Sequence, residues 1–165
     1  LDIGSIGNYD DSLYYQLKPF CKSMTGTDIR QSEDKDIIQA DMQTHNLNKK
    51  FDVIIAGDVI EHLDNQGLFI ENMKRHLKEN GKLIITTPNF RSLNPFLKFM
   101  SKGFKTHTLW HDKETITFIL EKYDFDIEEI FFYAGNRKQY NLFNYIPILN
   151  KNMLCVVASK NGNKI

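Results

Sequence analysis

Short apolar runs recur along the chain without the alternation of a half-exposed strand. They are Ile37-Ile38-Gln39-Ala40, Val53-Ile54-Ile55-Ala56, Leu83-Ile84-Ile85-Thr86 and Met153-Leu154-Cys155-Val156-Val157-Ala158. Continuous runs of this length suit strands of a parallel sheet, because helices cover such a sheet on both faces. Helical patterns lie between them. Phe69, Ile70, Met73 and Leu77 recur at helical spacing, with Asp64 as the expected N-cap and Gly81 as the expected helix-ending glycine. Ile116, Ile119, Leu120 and Tyr123 repeat in the same way, with Asp112 as the expected N-cap. Leu13, Tyr14 and Leu17 mark a shorter helix that Pro19 ends.

Strands alternating with helices predict an α/β fold, a doubly wound sheet with right-handed crossovers and helices on both faces. The end of the chain departs from this order. Asp126 to Tyr133 and Met153 to Ser159 both read as strands, with no helical pattern between them. Strands joined without a crossover helix pair antiparallel, so the last strand is expected to run against its neighbours. The linking stretch, Ala134 to Asn152, is rich in Asn and Tyr, contains Pro147, and reads as a long surface loop.

A chain of 165 residues suffices for one domain, with residues 1–160 as its body and 161–165 as a frayed tail. Leu1-Asp2-Ile3-Gly4 reads as the end of a strand, so a further segment is expected to precede Leu1. The formal net charge of zero argues against a whole-molecule grip on nucleic acid or an anionic membrane. No apolar run approaches a membrane span. Cys21 and Cys155 are far apart and lack metal-ligand spacing, which fits reduced thiols in a cytoplasmic protein. Oligomeric state leaves no signature.

In open α/β sheets, ligands bind beyond the carboxyl ends of the strands. Chemistry-bearing residues gather at those places. Asp2-Ile3-Gly4-Ser5-Ile6-Gly7 ends the first strand, where the two glycines permit a tight turn and close approach of a ligand. A carboxylate at Asp2 suits a cationic ligand better than a pyrophosphate. Asp28 ends the second strand 24 residues after Gly4. That is close to the offset of about 20 residues at which an acidic side chain grips ribose hydroxyls in dinucleotide folds, though Asp28 could equally cap a helix. Asp41-Met42 ends the third strand, where the carboxylate could accept from an adenine amino group and the methionine flank the ring. Gly57-Asp58-Val59-Ile60-Glu61-His62-Leu63 follows the fourth strand and is the most distinctive stretch.

In order and spacing these stretches resemble class I S-adenosylmethionine-dependent methyltransferases of the small-molecule branch, from Leu1 to about Phe132. The resemblance implies a Rossmann-like, seven-stranded mixed sheet. It implies that Asp2, Gly4, Ser5 and Gly7 contact the methionine part of the cofactor, that Asp28 with Ile29 holds the ribose end, and that Asp41 and Met42 hold the adenine. Gly57 would line the pocket. The chain differs from the family pattern at Ile6 and Asn8, where a small residue is usual, and shows none of the family's N-terminal helices before Leu1.

Methyl transfer is an in-line displacement that needs mainly alignment of acceptor and donor. A hydroxyl acceptor would also need a base, and histidine is suited to that near neutral pH. His107 is the expected catalytic residue. His62, Trp110 and His111 are the expected substrate-binding residues, although His62 and Trp110 could equally be packed. His107 and His111 are four apart but do not lie in a helical pattern, and no third ligand is evident, so no metal is expected. Lys98, Lys102, Lys105 and Lys113 form a basic stretch that reads as a solvated segment. Two alternatives remain: a nicotinamide-dependent oxidoreductase, against which Ile6 and the antiparallel end count, and a non-catalytic methyltransferase-like scaffold.

Overall fold

The computed structural model describes residues 1–7, 12–92, 107–134 and 151–160. Asn8, the lysines at 98, 102 and 105, most of the long loop with Pro147, and the tail lie outside the described residues. Seven strands form one sheet in the order β3-β2-β1-β4-β5-β7-β6. They are β1 (Asp2–Ile3), β2 (Gly26–Asp28), β3 (Ile37–Gln39), β4 (Phe51–Gly57), β5 (Leu77–Pro88), β6 (Phe125–Tyr133) and β7 (Met153–Lys160). The pairs among β1 to β5 are parallel. β7 runs antiparallel to both β5 and β6, as the missing crossover pattern predicts.

The described helices are α1 (Leu13–Leu17), α2 (Gln66–His76) and α3 (Lys113–Lys122). From β1 the chain winds outward to β2 and β3, and from β4 it winds the opposite way to β5. Right-handed crossovers in opposite directions place α1 on one face of the sheet and α2 and α3 on the other. Phe69, Ile70 and Met73 of α2, and Ile116 and Leu120 of α3, are fully buried in one cluster with Ile54, Leu83 and Leu154 of the sheet. Among the described residues the opposite sheet face is less covered. Val53 of β4 and Phe131 of β6 are both more than a third exposed.

Local details revise three expectations. Asn65, not Asp64, caps α2, its side chain accepting from the Leu68 N–H at 3.0 Å. Asp112 caps α3 as expected, in a reciprocal box with Thr115. α2 ends at His76, and Leu77 already pairs with Phe51 as the first residue of β5. Gly81 therefore does not end a helix. Lys78, Glu79, Asn80 and Gly81 lie opposite the single residue Asp52, and Asn80 takes the left-handed turn with φ 60°. A Cβ on Gly81 would stand 3.0 Å from the Lys78 carbonyl and 3.1 Å from that of Phe51, so close backbone approach explains this glycine. Pro19 sits within a single 3₁₀ turn, Lys18–Phe20, that closes α1.

No described helix is long and apolar enough to cross a membrane. Leu83 is fully buried where β5 meets both helices. Leu83→Ala should lower unfolding free energy by about 2–5 kcal/mol, read as a fall in the urea midpoint with an unchanged slope.

Candidate cofactor and acceptor site

The parallel strands bring Ile3, Asp28, Gln39, Gly57 and Pro88 to one edge of the sheet. Gly4 turns the chain away from β1 with φ 78°, and a Cβ there would stand 3.0 Å from Val59 Cγ2. Gly7, with φ 62°, closes the turn by donating to the Gly4 carbonyl at 3.1 Å. Both glycines are required by backbone sign, as the motif suggests.

Ser5 has a different role from the one its place in the motif implies. Its hydroxyl donates to the Asp2 carbonyl at 2.9 Å and accepts from the Thr27 N–H at 3.1 Å. It is buried and staples β1 to β2, and its backbone is engaged as well, the N–H donating to the Thr27 carbonyl at 3.0 Å and the carbonyl accepting from the Ser12 hydroxyl. Gly26 makes room for it, since a Cβ there would lie 2.7 Å from Ser5 Oγ.

Asp2 is 2% exposed, and burial pushes its carboxyl up to about 6. Asp28 is also buried, but its carboxylate is heavily bonded. Ile6 N donates to Oδ2 at 3.2 Å, and Arg30 N to Oδ1 at 2.9 Å. The Arg30 guanidinium adds Nε to Oδ1 at 3.0 Å and Nη2 to Oδ2 at 3.1 Å. Burial alone would raise Asp28, yet these donors outweigh it and hold the carboxyl below its usual range. The sequence shows Arg30 two residues beyond Asp28, but not that its side chain folds back.

Ile29 is 72% exposed beside Asp28, an apolar side chain held open at the edge. Asp41 is exposed and is held by Gln43, whose N–H donates to Oδ1 at 2.9 Å. Met42 points elsewhere than expected. It is 4% exposed and belongs to the core, so its side chain does not flank a ligand ring; its carbonyl accepts from Asn72 Nδ2 at 3.0 Å. Gly57 ends β4 beside Thr86, and Asp58 follows with φ 54°.

Beyond β4 and β5 the aromatic residues converge. The His107 ring lies 4.8 Å from that of His62, edge-on, and 4.8 Å from that of Trp110. Phe90 continues the row 5.4 Å from Trp110. Glu61 sits beneath, 2% exposed, accepting from Thr87 Oγ1 at 3.1 Å. Burial raises its carboxyl to about 7. Ligand atoms of Glu61, His62 and His107 lie within 4.8 Å of one another, a set able to hold a divalent cation. Glu61 is thus a third potential ligand that the sequence did not reveal, and it groups with His62 and His107, not with His111.

His111 is instead built into the wall. Gln66 Nε2 lies 2.9 Å from His111 Nε2 and 2.8 Å from the Ile60 carbonyl. An amide donating to both makes Nε2 the acceptor and leaves the ring proton on Nδ1. Burial holds this imidazole below its ordinary value and so neutral. A cleft of about 700 Å³ opens nearby, lined by Gln66, Leu109, Trp110, His111, Phe118 and Ile119.

Known proteins share this fold. A family model described as a methyltransferase domain matches residues 1–130. A ubiquinone biosynthesis O-methyltransferase from Rickettsia akari is 27% identical over 140 residues, covering 78% of this chain and 54% of the relative. The corresponding protein of Rickettsia canadensis is 42% identical over 52 residues, 32% of this chain and 22% of the relative. The chain thus spans about half or less of these relatives. A SAM-dependent methyltransferase from Archaeoglobus fulgidus superposes with TM-score 0.68 at 22% identity, over 97% of this chain and 85% of that one. The N-methyltransferase NodS from Bradyrhizobium japonicum, in complex with S-adenosyl-L-homocysteine, superposes with TM-score 0.65 at 17% identity, over 96% and 76%. With most of its length matched by the family model and its sheet order shared with these folds, the chain belongs to the methyltransferase-domain family.

Proposed function

We propose that the protein transfers a methyl group from S-adenosylmethionine to a hydroxyl of an apolar small molecule. The observation that carries this reading is the pairing of Asp2 and Asp28 on adjacent strand ends around a left-handed glycine turn. The residues fit the cofactor. Gly4 and Gly7 keep the turn free of side chains, and Asp2 can meet an ammonium group. Asp28 can take a vicinal diol, and Ile29, Asp41 and the Met42 backbone can frame a purine. S-adenosylmethionine supplies a methyl group already activated on a sulfonium centre.

The chain's own part is then to align the acceptor and manage its proton. His107 stands between His62 and Trp110, with Trp110 as an apolar wall. A neutral imidazole there can take the proton of a hydroxyl as it attacks. The O-methyltransferase names of the relatives support oxygen as the atom methylated. A second reading is favoured by the Glu61, His62 and His107 grouping: a divalent cation held there would lower the acceptor's proton affinity instead.

Four outcomes follow for experiment. S-adenosylhomocysteine should bind saturably and NAD should not; binding of NAD alone would return the oxidoreductase. Asp2 is neutral below its raised value of about 6 and ionised above it. An ammonium ligand needs the ionised form, so affinity measured by calorimetry should strengthen as the pH rises through this value. Asp2→Asn should bind weakly with a flat profile. With a panel of phenolic acceptors, His107→Ala should lose about 10²–10⁴-fold in kcat while still binding S-adenosylhomocysteine. Chelation decides between base and cation: loss of the rate on EDTA, restored by a divalent metal, favours the second reading, and an unchanged rate favours the first.

A further inference from the structure

Asp28 has more donors than a ribose-binding carboxylate can keep. A carboxylate offers about four lone-pair directions. Here Oδ1 accepts from Arg30 N and Arg30 Nε, and Oδ2 from Ile6 N and Arg30 Nη2. All of them are engaged. Two of these donors are backbone N–H groups, one from Ile6 in the glycine turn and one from Arg30 just beyond β2. The other two come from one guanidinium, one bond to each oxygen, and a vicinal diol needs the same two places. Arg30 reaches further still, with Nη2 donating to the Gly7 carbonyl at 2.9 Å. One side chain therefore closes over Asp28 and ties the end of the glycine turn to β2.

Burial shows which partner can move. The Asp28 side chain is 3% exposed and the Arg30 side chain 51%. The carboxylate is fixed from beneath by backbone donors, whereas the guanidinium lies on the solvent side with a flexible stem. We infer that Arg30 is a displaceable cap on the ribose subsite, and that cofactor affinity is set by competition between its guanidinium and the ribose hydroxyls for Asp28. This rests on the reading of Asp28 as the ribose ligand. When the diol binds, it takes one lone pair on each oxygen, and the guanidinium turns to water and releases Gly7. The exchange gives up three charge-assisted bonds, two to Asp28 and one to Gly7, for two neutral donors, so the cap lowers affinity relative to an open carboxylate. It also keeps a buried carboxylate paired whenever ribose does not occupy it.

Calorimetric titration with S-adenosylhomocysteine tests the cap. Arg30→Ala should bind about two- to tenfold tighter than the unsubstituted chain. Its melting temperature without ligand should fall, while the rise on adding ligand should grow. Arg30→Met, which keeps the aliphatic stem, should bind like Arg30→Ala and serves if the smaller side chain impairs folding. Raising salt to about 0.5 M should weaken binding to the unsubstituted chain less than binding to Arg30→Ala, because salt screens the ligand's ammonium contact with Asp2 in both but relieves the competing Arg30 pair only in the first. Equal or weaker binding by both Arg30 variants overturns the proposal, as does absence of binding by every form. Binding by the Arg30 variants alone supports it. Asp28→Asn separates the two ideas. If it leaves affinity intact, the ribose reading fails and takes the cap with it. If it weakens binding at least tenfold while the Arg30 variants bind no tighter, only the cap fails.

Discussion

β1 contributes only Asp2 and Ile3, yet the ligand edge hangs from it. It lies between β2 and β4, with Asp2 opposite Gly26 on one side and Ile55 on the other. The Asp2 N–H donates to the Thr25 carbonyl at 3.0 Å and the Gly4 N–H to the Thr27 carbonyl at 2.8 Å. The buried Ser5 hydroxyl then bonds across the same seam. A short strand held this firmly fixes where the glycine turn starts. It places the Asp2 and Asp28 carboxyls on neighbouring strand ends, and the turn above them can be tight only because Gly4 and Gly7 accept left-handed backbone.

That edge concentrates acidic groups in buried surroundings, and the protein treats each differently. Asp28 stays ionised because a guanidinium and two backbone N–H groups answer its charge. Asp2 and Glu61 lack a cation of that strength, and burial raises both. The difference follows from the desolvation of charge: a buried carboxylate is ionised cheaply only where donors replace the lost water. Asp2 and Glu61 therefore hold their protons to higher pH than exposed carboxyls do. One edge thus carries one carboxylate paired within the protein and two that burial raises.

Much of the fold was legible because burial on both faces leaves a direct mark on composition. The runs around Ile54, Leu83 and Val156 are strands because nothing polar could sit there, and the Asp112 cap is where a short acidic side chain can close a helix start. Helix ends were less legible. Asp64 and Asn65 are both able caps, and only the path of the chain into α2 chooses the second. Gly81 is a helix terminator by position and a close-packing residue in fact, because β5 starts six residues earlier than its apolar run suggests. At the site, Asp2, Gly4, Gly7 and Asp28 could be placed from order and spacing. Ser5, Met42 and His111 could not be assigned to an interior role, because residue type alone does not say which way a side chain turns.

The sequence by itself determined the sheet, its antiparallel end, the glycine turn and the acidic residues at the strand ends. Each of these depends on local backbone chemistry or on the period of burial, and both are written residue by residue. Only the tertiary structure decided what those residues face. It turned Arg30 back onto Asp28, brought Glu61 and His62 against His107 across 45 residues of chain, and set His111 on Gln66. These contacts depend on where separate elements dock, and docking is fixed by packing of the whole core, which no short stretch of sequence encodes.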